Sequence, residues 1–369
     1  MKTKLIILSI IVLTFFGNVS CNSNKQSAEN TIKIGAILPL TGKYSVIGEG
    51  EKKGIELALD SLKNKYPNTK VEVIYEDFAS ETKNAVTAAN KLISIEKVNA
   101  IITSTTAACE AVSPVVQNAK KINFVISPDI DIVNKSNYNY RVYYNLNTES
   151  KVVEDFVNRN KPNNVAFLVS RYPSLQKLVD DKLAPFFKNS NINILSKNYV
   201  EVTDNDFKNV ILKIKDQNPS LIFLAPMTNQ VDLFTNQLSQ YDVKPSNKLM
   251  IIGSFTFNWK PKDFINTLEG YYIATPAFQI KDGNNWFTEL YKKKYNSNPS
   301  FDIAYAYDNV LILSDLLFKS KGDAKTFKDE FNSLGEFNGA SGKIKFIGNN
   351  ETDAEIVMTQ IENGNQIVK

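Results

Sequence analysis

Residues 31–62, TIKIGAILPLTGKYSVIGEGEKKGIELALDSL, leave few folds open. Ile32, Ile34 and Ala36 lead into the unbroken pair Ile37-Leu38, a strand with little solvent on either face, as in a parallel sheet. Pro39 stops it. Beyond the next loop, Ile55, Leu57, Ala58 and Leu62 fall at helical spacing. Strand, loop and amphipathic helix are the opening of an α/β unit, and in open α/β sheets ligands bind outside the carboxyl ends of the strands. The loop 40–50, with Tyr44 in it, is therefore the first candidate for ligand contact. No G-x-G-x-x-G follows this strand, which argues against a dinucleotide.

The alternation continues along the chain. Apolar strands are read at 71–75, 100–102, 123–127, 165–169, 192–200, 221–225 and 248–253, with amphipathic helices between them. At 369 residues the chain is too long for one typical core and suits two lobes of about 150 residues each. A net charge of +4 is too mild to argue for nucleic acid. The sequence contains no His, so the commonest general base and the commonest metal ligand are both missing. There is also no G-x-S-x-G, no P-loop and no metal-spaced Cys/His set. These features point to binding rather than catalysis, with no cofactor and no metal. Asp60, Glu76 and Asp77 read as carboxylates on solvated faces.

The loops after the strands supply the other candidates. Thr103-Ser104-Thr105-Thr106 sets four hydroxyls before a helix, where one serves as N-cap and Thr105 and Thr106 can face a ligand. Asp129-Ile130-Asp131 follows the fourth strand. Two carboxylates there would repel an anionic ligand, or they cap a short helix at 132–134. The strand 221–225 runs into Met227, and 248–253 runs into Phe255, Phe257 and Trp259, an aromatic wall or a lobe core. Asn363-Gly364 predicts a hairpin turn in 354–368.

The N-terminus reads as a targeting segment. Lys2 and Lys4 precede an apolar run at 5–16 that is too short to span a bilayer comfortably. Val19-Ser20-Cys21 resembles the end of a bacterial lipobox, so residues 1–20 are expected to be removed and Cys21 to be lipidated. Residues 22–30 are polar and read as a flexible tether. With Cys21 carrying lipid, the only other cysteine, Cys109, has no disulfide partner and reads as buried packing in a small-residue helix.

Several landmarks resemble one family. These are LPLTG with its GIELAL helix, Ile126-Ser127-Pro128, RVYY at 141–144, Ala306-Tyr307-Asp308, and the G-x-x-G-x-I-x-F phrase at 339–346. They look like the type I periplasmic solute-binding proteins of ABC importers, of the branched-chain amino acid type. The resemblance implies an α/β fold of two Rossmann-like lobes with parallel central sheets, joined by a three-strand hinge. Lobe one would hold 31–143 and 276–335, and lobe two 144–275 and 336–369, with crossings near 140–145, 269–276 and 339–346. It implies a ligand carboxylate held by hydroxyls of the 103–106 loop, and Tyr172 near a ligand ammonium. No Asp or Glu occupies 254–258, where amino acid binders of the family carry a carboxylate. Other small organic solutes therefore stay open beside amino acids. The implied protein is an exported, lipid-anchored monomer on the periplasmic or cell-surface face of a bacterial membrane. Its partners would be a small-molecule solute and a membrane permease. The alternative is an extracytoplasmic sensing module that signals through a partner protein.

Overall fold

The computed structural model describes residues 30–67, 69–227, 230–251, 262–278 and 285–369. Residues 1–29, with Cys21 and the segment read as a targeting signal, and the residues Phe255, Phe257 and Trp259 lie outside the described residues.

The first lobe alternates β1 (Asn30–Leu38), α1 (Ser45–Lys65), β2 (Thr69–Asp77), α2 (Thr82–Ser94), β3 (Ala100–Ser104), α3 (Thr106–Ala119), β4 (Ile122–Ile126), a 3₁₀ turn (Ile130–Lys135) and β5 (Asn139–Arg141). Its sheet has the order β2-β1-β3-β4-β5, and every pairing is parallel. β3 and β4 are buried at every residue, as a sheet covered on both faces requires.

The second lobe carries α4 (Leu146–Asn160), β6 (Asn164–Ser170), α5 (Pro173–Lys177), a π-helical turn (Leu178–Leu183), α6 (Ala184–Asn189), β7 (Asn193–Val200), α7 (Lys208–Gln217), β8 (Leu221–Ala225), α8 (Gln230–Gln240), β9 (Asn247–Ile251), α9 (Lys262–Thr267) and β10 (Tyr272–Pro276). The chain then returns through α10 (Asn285–Tyr295), α11 (Phe301–Ser320), α12 (Ala324–Ser333), β11 (Glu336–Gly339), β12 (Gly342–Gly348) and β13 (Glu351–Ala354). β14 (Ile356–Glu362) and β15 (Asn365–Val368) finish it. The second sheet has the order β15-β14-β10-β9-β8-β6-β7, parallel from β7 to β10 and antiparallel at the added hairpin. That hairpin turns at Asn363 and Gly364, both with positive φ, as its sequence predicts.

One expectation needs correcting. Residues 336–354 do not enter the second lobe. β11, β12 and β13 form their own sheet against the first lobe, with Phe346 edge-on to Phe331 of α12 at 4.9 Å. The phrase at 339–346 is the β11–β12 turn, held by Asp308, whose carboxylate accepts from the Ala340 and Ser341 backbone N–H groups at 2.8 Å. The third crossing comes later, between β13 and β14.

Two contacts set the lobe geometry. A Cβ on Gly54 would stand 2.2 Å from the Ile303 carbonyl oxygen, so only glycine lets α1 lie this close to the start of α11. At the hinge, the fully buried Arg141 guanidinium ties the first crossing to the third. It donates to Glu351 Oε2 at 2.6 Å, to the Tyr144 carbonyl at 2.6 Å and to the Thr352 carbonyl. A buried guanidinium satisfied on several sides fixes the path of the chain it touches.

Candidate functional site

Each sheet has a point where the chain reverses its direction of winding: β1/β3 in the first lobe and β6/β8 in the second. Loops leaving such points diverge and open a crevice. Here the two crevices face each other. The first lobe brings Ile47 and Glu51 of α1, Ser104 and Thr105 after β3, and Ile126 and Pro128 after β4. The second brings Tyr172, Ser174 and Leu175 after β6, and Met227 after β8. Tyr143 and Tyr144 of the first crossing and Asp302 of α11 close the cleft. The cavity, partly open to solvent, has a volume of about 40 Å³, against the roughly 10–15 Å³ that one water needs. Across the edge, Tyr44 meets Tyr172 edge-to-face with ring centroids 5.3 Å apart.

The electrostatics centre on two buried acids. Glu51 is 1% exposed, with Oε1 accepting from Ser104 Oγ at 2.7 Å and Oε2 buried without a hydrogen-bond partner. Burial, and after it the nearby Asp302, push its carboxyl well above the usual carboxylate range. Asp302 accepts from the Tyr143 hydroxyl at 2.6 Å. Its burial pushes it up to about 7, against the pull of that hydrogen bond. Burial likewise raises the phenols of Tyr143, Tyr144 and Tyr172, so these walls stay neutral donors.

The expected site residues divide. Thr105, Tyr172 and Met227 line the cleft, and Tyr44 stands at its edge. Thr105 is the residue before α3, but its side chain makes no cap bond. Its φ of 71° holds the backbone in a sparsely populated region, and such strain gathers at functional sites. Thr106 turns away to share a hydrogen bond with Ser127 Oγ at 2.9 Å. Asp129 and Asp131 do not line the cleft. Asp129 caps the 3₁₀ turn through the Asp131 N–H at 3.0 Å, as its sequence suggests. Both carboxylates also take Lys177 of the second lobe, Asp129 at 2.7 Å. The repulsion expected of them is cancelled by this cation from the opposite lobe. Phe255 lies outside the described residues. Asp77, exposed as expected, nonetheless shapes the first loop by accepting from the Leu40 and Thr41 N–H groups at 2.9 and 3.1 Å.

Glu51, Tyr143, Tyr144 and Asp302 were not singled out as site residues from the sequence, whereas Ser104 belongs to the hydroxyl loop that was. Glu51 carries a signal that could have found it. It sits four residues from Ile47 and four from Ile55, on the stripe α1 buries. A charged residue on the apolar stripe of a helix is either paired or functional.

Residues 31–366 match the model of the periplasmic binding protein family. The chain belongs to that family, as a type I binding protein of the branched-chain amino acid type. A Leu/Ile/Val-binding protein homolog 7 of Brucella abortus (strain 2308) is 21% identical over 384 residues, covering 97% of this chain and 94% of its own. A solute-binding protein of an ABC transporter from Rhodopseudomonas palustris BisB5, solved with 3,4-dihydroxybenzoic acid, is 23% identical, with a TM-score of 0.81 over 92% of this chain and 96% of its own. LivJ of Streptococcus pneumoniae, solved with isoleucine, is 20% identical, with a TM-score of 0.77 over 92% and 99%. At these identities the solved structures establish the two-lobed fold. The family makes this chain a periplasmic binding protein with an expected exported, periplasmic location.

Proposed function

We propose that this chain is the extracytoplasmic subunit of an ABC importer, tethered by lipid at Cys21, which closes its lobes around a small organic solute and presents the closed form to a membrane permease. The observation that supports this most is the cleft formed by the switch-point loops of both lobes, with Lys177 reaching across to Asp129 and Asp131. A solute touching both walls favours the closed form by its differential affinity for it. The reading asks no chemistry of the cleft and treats the protein as a monomeric binder, not an enzyme.

A thermal-shift screen of the mature chain against amino acids, aromatic acids, amides and amines tests the reading. A solute that binds only the folded protein raises the melting temperature by mass action. Vesicles containing the permease and its ATPase should then accumulate that solute only when this chain is added. A binding solute that is never taken up would favour the sensing alternative.

A further inference from the structure

Resting on that reading, the chemistry of the cleft narrows the solute. We propose that the cleft takes a small organic amine without a free carboxylate, its ammonium set against Glu51 and Asp302 and its body between the rings of Tyr143, Tyr144 and Tyr172. Three observations carry this. Glu51 is buried, lines the cavity and leaves Oε2 without a partner, an acceptor in place for a donor that enters with the solute. Asp302 lines the same cavity from another element, brought there by the close crossing of α1 and α11 at Gly54. The walls are aromatic, and tyrosine faces attract an ammonium while excluding water.

With no cation beside them among the described residues, the two carboxyls are driven toward their neutral forms by burial. An ammonium lets both ionise, whereas a second anion would meet the repulsion that already raises Glu51. The cavity volume of about 40 Å³ suits a head group of a few atoms. A longer body would reach the edge contact of Tyr44 on Tyr172.

The test is calorimetry and thermal shift at pH 7.5 with tyramine, phenethylamine and putrescine, each set against a matched acid, 4-hydroxyphenylacetate, phenylacetate or succinate. Leucine, an uncharged amide and sodium or potassium chloride complete the panel. At least one amine should bind, and its matched acid should not. Glu51→Gln should fold with a melting temperature at or above that of the unaltered protein, since it removes a buried acid, while weakening the amine about thirtyfold or more, the usual consequence of removing one partner of a buried charge pair. Asp302→Asn gives the same readout should Glu51→Gln fail to fold. Binding of an acid, of leucine, of the amide or of the inorganic cation in preference to the amines would overturn the amine assignment while leaving solute binding standing. Binding of nothing in the panel would remove both.

Discussion

Lys177→Met is the perturbation that bears most directly on closure. Lys177 is on α5 of the second lobe, and its Nζ stands 2.7 Å from Asp129 Oδ1 on the first. Its side chain is 25% exposed and that of Asp129 is 3% exposed. At that separation the gross attraction is about 6 kcal/mol at the effective dielectric of a protein surface. Desolvating Asp129 and ordering the lysine stem remove most of it. A pair between the buried and the surface limits leaves about 1–3 kcal/mol for the closed form, or about 5- to 150-fold in the closing equilibrium. If the lobes part on opening, this contact is broken, and on that proposal the methionine variant should lose that factor in apparent affinity. Isothermal titration calorimetry gives the affinity, and denaturant unfolding separates it from global stability. Asp131 is 51% exposed, so Asp131→Asn should cost less than about 1 kcal/mol. Lys177→Met binding within about twofold of the unaltered protein would refute the latch. Lost stability with unchanged affinity would show a structural pair and not a latch.

Three further outcomes are expected. Glu149 of α4 is buried, and burial pushes its carboxyl up to about 8. The native state therefore holds this proton above pH 4.5, where the unfolded chain releases it, and the group's contribution to stability falls as pH rises from about 4.5 to about 8. Glu149→Gln should gain little at pH 5 and progressively more toward pH 8, up to about 5 kcal/mol by denaturant titration, and an equal gain at both pH values would contradict the assignment. Gly54→Ala forces a methyl against the Ile303 carbonyl oxygen and should destabilise by about 1–3 kcal/mol, whereas an unchanged unfolding midpoint would show that α1 can shift freely. Cys21→Ser should release the protein from the membrane fraction and abolish incorporation of labelled fatty acid, and a variant that stays membrane-bound would remove the lipid anchor from the account.

Much of the fold was legible because its signals are local. The buried run ending at Leu38, the stripe on α1 and the turn at Asn363-Gly364 each fix an element within a few residues. The placement of β11 to β13 was not, since a G-x-x-G turn looks the same on either lobe. Long-range contacts decide it, the hold of Asp308 on Ala340 and Ser341 and the packing of Phe346 on Phe331 among them. The site divides in the same way. Thr105, Tyr172 and Met227 follow strands, and topology alone brings such residues to the cleft. Asp129 and Asp131 read as unpaired because their cation is Lys177, 48 and 46 residues further on. Asp302 looks like an ordinary acid in the first turn of a helix, where the dipole favours one. Its role in the cleft depends on how closely α1 packs there, which Gly54 determines.

The central claim is that solute enters between two lobes and draws them together. Small-angle scattering of the mature chain, with and without a saturating solute that raises its melting temperature, tests this most directly. The expected result is a smaller radius of gyration with solute, and loss of both the contraction and the melting shift in Tyr172→Ala. A bound solute that leaves the scattering unchanged, and that Tyr172→Ala binds as well as the unaltered protein does, would contradict it.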